Sequence, residues 1–366
     1  MATDQRDVVI DGIRGLLLAC MTCVHLPFIL GNAIYERFGF ISEAEGFVFI
    51  SGLVTGIAYL RALKRRELSY IWRRAAYRAM TLYISHVIIF LSILLLLNHT
   101  LSGDQIEYFF GGTWRRVADL RFIDAALSIV GLRSQPRYMD ILPLFFLFAL
   151  VSPFLGLVLQ RSSGSGILCG SILLWLMVLL RFPGVSDNAH ASRHVASFYL
   201  LSWQVLMVIG LWVGYFSERI LKLLREPRNR HVKYYALFVV MCLMFLRSTP
   251  QFSNSVGDLA DKPTLGPLRL LNLISVSVVM VWAYPMLLKS KLVAVFAILG
   301  RFSLQVFCYH LVVISIVAIC LSKFGEPNLR IGLCIELLVV ASLWSIPASY
   351  RMIQIWISRG LVSCKN

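Results

Sequence analysis

The sequence predicts an all-α polytopic membrane protein, a bundle of about ten transmembrane helices with both termini in the cytoplasm. Three observations predict it. Hydrophobic residues make up 58% of the 366 and charged residues only 15%, against about 45–50% and about 25% in soluble domains. Ten apolar stretches approach the roughly 20 residues that a helix needs to cross the hydrocarbon core. The basic excess, 35 Lys+Arg against 19 Asp+Glu, is concentrated between those stretches, where cytoplasmic loops carry it. No basic region has the aromatic interleaving or fold signature of a nucleic-acid binder, so the charge is read as facing anionic lipid. The expectation is one integral-membrane domain over residues 1–366, with no soluble domain.

The first run, 10–30, continues beyond the length of a signal core, contains Arg14 and lacks a small-residue cleavage site, so it reads as a retained span. Runs 45–63 and 77–98 flank RALKRRELSYIWRRAAYR, with seven Lys/Arg. The connection 99–138 is near charge balance. Within it TWRRVADLRFIDAALSIVGL sets apolar residues at helical spacing among charges, a helix lying in the interface, either packed on the bundle or serving as a lid. Runs 139–160, 165–181 and 198–216 follow; 165–181 is the weakest. SERILKLLREPRNRHVK, with six Lys/Arg, then precedes runs 234–250, 268–288, 302–321 and 329–350. Placing both basic loops in the cytoplasm with ten crossings puts both termini there too. Of eight cysteines, all but Cys364 lie in apolar runs, which implies no disulfide framework.

Ionisable groups at membrane depth cost roughly 2.5–3.5 kcal/mol each on insertion scales, so each asks for a reason. The first run, DGIRGLLLACMTCVHLPF, holds Asp11, Arg14 and His25. Eleven residues carry a helix three turns plus about 20° and roughly 16 Å. Arg14 and His25 therefore share one face at two depths, with Asp11 one turn from Arg14. Taken singly, Arg14 reads as a snorkelling anchor and His25 as an interfacial histidine; together they point to a lined cavity. Cys20, Cys23 and His25 leave a fourth metal ligand unidentified, so no metal is expected.

Glu45, at the outer start of the second run, is level with His25, where a carboxylate would fix the imidazole tautomer and raise its basicity. It reads equally well as a helix N-terminal carboxylate. Ser51, Gly52 and Gly56 have the spacing of a close helix contact. Asp140, Gln204, Lys262 and Arg269, with Tyr138, Trp203 and Asp261, gather on the same leaflet. His310 lies halfway through the ninth run. His86 and Glu336 are single polar groups for which the sequence names no partner.

Asp-x-x-Arg-Gly followed by His25, with ten residues between Arg14 and His25, resembles the first-helix signature of the membrane acyltransferase-3 superfamily. GRFSLQVFCYH, ending in His310, is similar to a Ser/Tyr-rich segment near that superfamily's C-terminus. The ordered blocks RDVVIDGIRGLLL, EAEGFVFISGLVTG, YMDILPLFFLFALVSP, FYLLSWQVLMVIG, DKPTLGPLRLLNLI and LGRFSLQVFC together resemble the OpgC-type proteins, which succinylate osmoregulated periplasmic glucans. The resemblance covers residues 6 to about 310; the last run matches in hydropathy alone.

It implies an O-acyltransferase of a bacterial inner membrane. Such an enzyme has no bound cofactor, cytoplasmic acyl-CoA (succinyl-CoA or acetyl-CoA) as donor, and a periplasmic glucan or other glycan as acceptor, with glucan-synthesis machinery as a possible partner. His25 takes the catalytic histidine's place and Arg14 that of the essential basic residue. Glu45 is the candidate orienting carboxylate, and Asp11, Asp140, Gln204, Lys262, Arg269 and His310 are candidate substrate contacts. Lys262, Arg269 and Arg137 are the cations that could meet a succinyl carboxylate. No Gly-x-Ser-x-Gly elbow supports a serine acyl-enzyme. Two other classes stay open: a transporter or flippase of an anionic or lipid-linked substrate, and a non-catalytic membrane partner of a glycan synthase.

Overall fold

The computed structural model describes residues 7–65, 67–161, 164–180 and 200–352. The described residues form helices and no strands. Among the described residues, eight helices are long and apolar enough to cross a membrane, and a bent pair makes up to nine. Each of the ten apolar runs contains a helix, so the chain is an all-α polytopic membrane protein. Residues 181 and 198–199 of two runs lie outside the described residues.

The chain divides into two compact units, one of residues 1–35 with 283–366 and the other of residues 36–282. The first unit begins with α1 (Val8–His25). The Asp7 carboxylate caps it, accepting from the amides of Val9 and Ile10 at 2.9 and 3.1 Å, and Pro27 stops its continuation to residue 30. A short α2 (Ile29–Ile34) follows.

The C-terminal part of this unit holds α15 (Lys291–Arg301), α16 (Ser303–Phe324) and α17 (Leu329–Ser342). The closest approach is between α1 and α15. A Cβ on Gly300 would lie 1.8 Å from the Asp11 carbonyl oxygen, and one on Gly15 would lie 1.9 Å from that of Phe296. Glycine is required on both helices because backbone meets backbone. Glu336, fully buried on α17, accepts from the amides of Leu30 and Gly31 at 3.0 and 2.9 Å. It thereby satisfies two of the orphan donors at the start of α2.

The second unit carries α3 (Glu43–Lys64), α4 (Leu68–Thr100), α5 (Gly103–Phe110), α6 (Gly112–Ala118), α7 (Phe122–Val130), α8 (Ile141–Arg161) and α9 (Ser165–Leu179). These are followed by α10 (Leu200–Tyr215), α11 (Ser217–Arg225), α12 (His231–Ser248), α13 (Pro250–Ser255) and most of α14 (Pro267–Lys289). Gly52 and Gly56 of α3 interlock with Gly210 and Gly214 of α10; a Cβ on any of the four would meet a facing carbonyl oxygen at 2.1–2.2 Å. The small-residue reading of Gly52 and Gly56 thus has a definite partner helix.

Three expectations change. The single interfacial helix expected over residues 113–132 is two short ones, α6 and α7, because a break follows Ala118, and Gly111, with φ +89°, sets α5 apart ahead of them. Trp114 of α6 packs on Phe90 with ring centroids 5.0 Å apart, so this segment is anchored to the bundle. The run 198–216 ends in a 77° bend into α11, and 165–181 is a helix of only 15 residues.

Candidate functional site

In the first unit, Arg14 and His25 both turn towards α16. The Arg14 guanidinium donates to the Ser303 hydroxyl at 2.5 Å. The His25 ring stacks on His310, with centroids 5.6 Å apart and 24° between planes. Ser303 and His310 are seven residues apart, two helical turns, and so sit on one face of α16. Asp11 is buried 4.0 Å from Arg14 and 4.0 Å from Arg301. This is a band of polar chemistry between two apolar helices, cationic at one end and carrying two imidazoles at the other.

His310 is buried, with its Nδ1 against the Phe307 carbonyl oxygen of its own helix. A carbonyl accepts only, so Nδ1 carries the proton and Nε2 presents a lone pair. That Nε2 has no hydrogen-bond partner among the described residues. In a stacked pair of imidazoles, the ring of fixed tautomer can hold the other in place, and an imidazole so held can act as a general base.

The remaining candidates lie in the second unit. Glu45 is fully buried, and both of its oxygens are occupied. Arg269 donates to Oε1 at 2.6 Å, and the Ser42 amide donates to Oε2 at 3.0 Å, joined by the Ser42 hydroxyl in a capping box at the start of α3. Arg269 also donates to a Glu36 carboxylate oxygen (2.5 Å) and to the carbonyls of Phe40 (2.7 Å) and Ala260 (2.6 Å). Arg247 reaches the other oxygen of Glu36 at 2.7 Å. Glu36 is itself held at φ +53°, a left-handed conformation that costs roughly 1–2 kcal/mol for a residue with a Cβ. The two arginines fix it there.

With its donors directed at two carboxylates and two carbonyls, Arg269 is a clamp joining the 36–42 loop to α14, and its positive charge is already balanced. Lys262 adds positive charge near Glu45 and Glu43, and its carbonyl accepts from Trp203 Nε1 at 3.2 Å. Gln204 is engaged elsewhere. It accepts from the Ser171 hydroxyl at 2.7 Å and donates to the Ser171 carbonyl at 2.8 Å, tying α10 to α9. Asp140 is buried at the start of α8. Beside it, burial pushes the Tyr138 phenol above its usual range.

The structure therefore joins Asp11, Arg14, His25 and His310 in one cluster and Glu45, Lys262 and Arg269 in another. Among the described residues no group of three or more His, Cys, Asp or Glu side chains is placed to hold a metal ion. Sequence reading missed Ser303, Glu36 and Arg247. Ser303 was within reach, since its seven-residue spacing from His310 puts both on one helical face. Glu36 and Arg247 carry no such signal, because nothing in the sequence says that the two meet.

A family model described as OpgC protein matches residues 6–354. The chain belongs to the OpgC family. No curated protein and no solved structure matches it. The match extends past His310 through α17, so both α16 residues that meet α1 fall within the OpgC region. Membership of the OpgC family suggests a glucan-modifying acyltransferase, and the helices make this member a multi-pass membrane protein.

Proposed function

We propose that this OpgC-family chain is an O-acyltransferase of a bacterial inner membrane, moving an acyl group, succinyl by preference, from cytoplasmic acyl-CoA to hydroxyls of a periplasmic glucan. The observation that carries this reading is that Arg14 and His25 of α1 both meet α16, Arg14 at Ser303 and His25 at His310. A cation for an anionic donor and an imidazole for proton transfer thus line one helix contact.

In the proposed reaction, the Arg14 guanidinium receives a phosphate or carboxylate oxygen of the donor, for which its planar fork is suited. His25 takes the proton of the acceptor hydroxyl as that oxygen attacks the thioester carbonyl carbon. The carbon–sulfur bond breaks, and the departing thiolate recovers the proton from the His25 imidazolium, so charge and atoms balance. His310, whose ring lies against His25, is the positioning residue. Glu45 was the sequence candidate for that role; its oxygens are committed to Arg269 and Ser42, which favours the imidazole.

The test is acyl transfer by purified protein, with thioester loss and product mass followed together. His25→Ala is expected to abolish transfer while the protein stays folded and inserted, and His310→Ala to lower it by about 10²-fold, the loss that a misplacement of about 1 Å causes in an oriented reaction. Normal product from His25→Ala ends the proposal. Substrate flux without thioester loss in the unaltered protein would assign the chain to transport instead.

A further inference from the structure

A cavity in the second unit, between α3, α4, α8 and α10, lies outside everything used above. Its polar wall consists of Ser51, Thr55 and Tyr59 from α3, Ser152 from α8, and Arg74 and Arg78 from α4. Tyr59 and Ser152 share a hydrogen bond at 2.7 Å, with the Ser152 hydroxyl in turn donating to the Ala149 carbonyl at 3.1 Å. Tyr59 is 3% exposed, so the floor of the cavity is interior, while Arg78 is partly buried and Arg74 stands at its exposed mouth.

Charge is unbalanced here. No Asp or Glu lines the cavity. Arg74 makes one hydrogen bond, to the Tyr70 hydroxyl at 2.6 Å. Arg78, partly buried and repelled by the neighbouring Arg74 charge, has no acceptor and no ion pair among the described residues. Among the described residues, the buried guanidinium of this unit, Arg269, is by contrast answered by Glu36 and Glu45. An ionised side chain at the edge of an apolar span is retained against its desolvation cost only where something repays it.

We propose that this cavity is an anion site that takes a phosphate group, with the Arg78 guanidinium as principal contact and Arg74 as the second. Guanidinium forks match phosphate oxygens in pairs, and two of them face a space with no competing carboxylate. A nucleotide such as the phosphorylated end of a CoA thioester and the headgroup of an anionic lipid supply the same chemistry. Sequence reading had counted both arginines only as part of a positive loop.

The experiment uses the full chain in phosphatidylcholine nanodiscs, with unacylated coenzyme A as one probe and added phosphatidylglycerol, its retention followed by native mass spectrometry, as the other. Because neither probe carries a transferable acyl group, the result stands apart from acyl transfer. The unaltered chain is expected to bind at least one probe. Arg78→Gln is expected to weaken binding at least tenfold without lowering the melting temperature of the ligand-free protein, since it removes an unbalanced charge. Loss confined to coenzyme A assigns the phosphate to a nucleotide; loss confined to phosphatidylglycerol assigns it to lipid. Unchanged binding of both probes overturns the proposal, as does a lower ligand-free melting temperature with binding intact. Should Arg78→Gln fail to fold, Arg74→Gln, at an exposed position, is expected to weaken the same probe about threefold, and unchanged binding there overturns the proposal equally.

Discussion

Replacing Gly300 by alanine adds one methyl group at the tightest point of the first unit. The new carbon would lie 1.8 Å from the Asp11 carbonyl oxygen, whereas carbon–oxygen contacts settle at about 3.3 Å or more. The atoms in conflict are both backbone, so no side chain can rotate away. The helices α1 and α15 must part by about 1.5 Å, at an overpacking cost of about 1–3 kcal/mol. Alanine's better helix propensity returns only about 1 kcal/mol.

The same displacement acts on Arg14, three residues from Asp11 and bonded to Ser303, which begins α16 just after α15 ends. A misplacement of about 1 Å costs an oriented reaction about 10²-fold. Gly170 of α9 provides the control, being exposed with no neighbour within 4 Å of an added Cβ. Thermal melting of detergent-solubilised protein is expected to show Gly300→Ala below and Gly170→Ala at or above the unaltered chain, with transfer lost only in the former. If both variants melt alike, the backbone-to-backbone contact is not what holds this unit together.

Removing Arg269 by Arg269→Met would leave Glu36 and Glu45 buried without their shared cation, and breaking such a pair costs about 3–5 kcal/mol; a melting curve should fall accordingly, and little change would deny the clamp. Glu336→Ala strips the acceptor from the Leu30 and Gly31 amides and is expected to cost about 1.5–3 kcal/mol, with faster hydrogen exchange at those two amides as the local signature. Lys64→Ala removes an exposed pair with Glu218 at 2.7 Å, and its effect should stay within about 1 kcal/mol. A larger loss would mean that α3 and α11 depend on that contact.

Much of this architecture was legible without coordinates, for reasons of solvent. A bilayer admits a long uncharged segment only as a helix, so composition and run length alone announce the spans and their order. Helical periodicity likewise put Arg14 and His25 on one face before any partner was known. The sequence was less informative on breaks. The bend after Tyr215 and the division of 99–138 into three helices depend on Gly111 and on local packing, which hydropathy does not register.

What only the tertiary structure decided is which polar group answers which. Glu45, which the sequence alone would set level with His25, is taken by Arg269, 224 residues away in sequence. His25 lies instead against His310, and Glu336, without a sequence partner, caps a six-residue helix. Depth in a membrane follows from position along one helix, and so from sequence. Pairing depends on the rotation and contact of separate helices, and those are set by glycines such as Gly15, Gly300, Gly52 and Gly210, whose effect appears only when a second backbone lies against them.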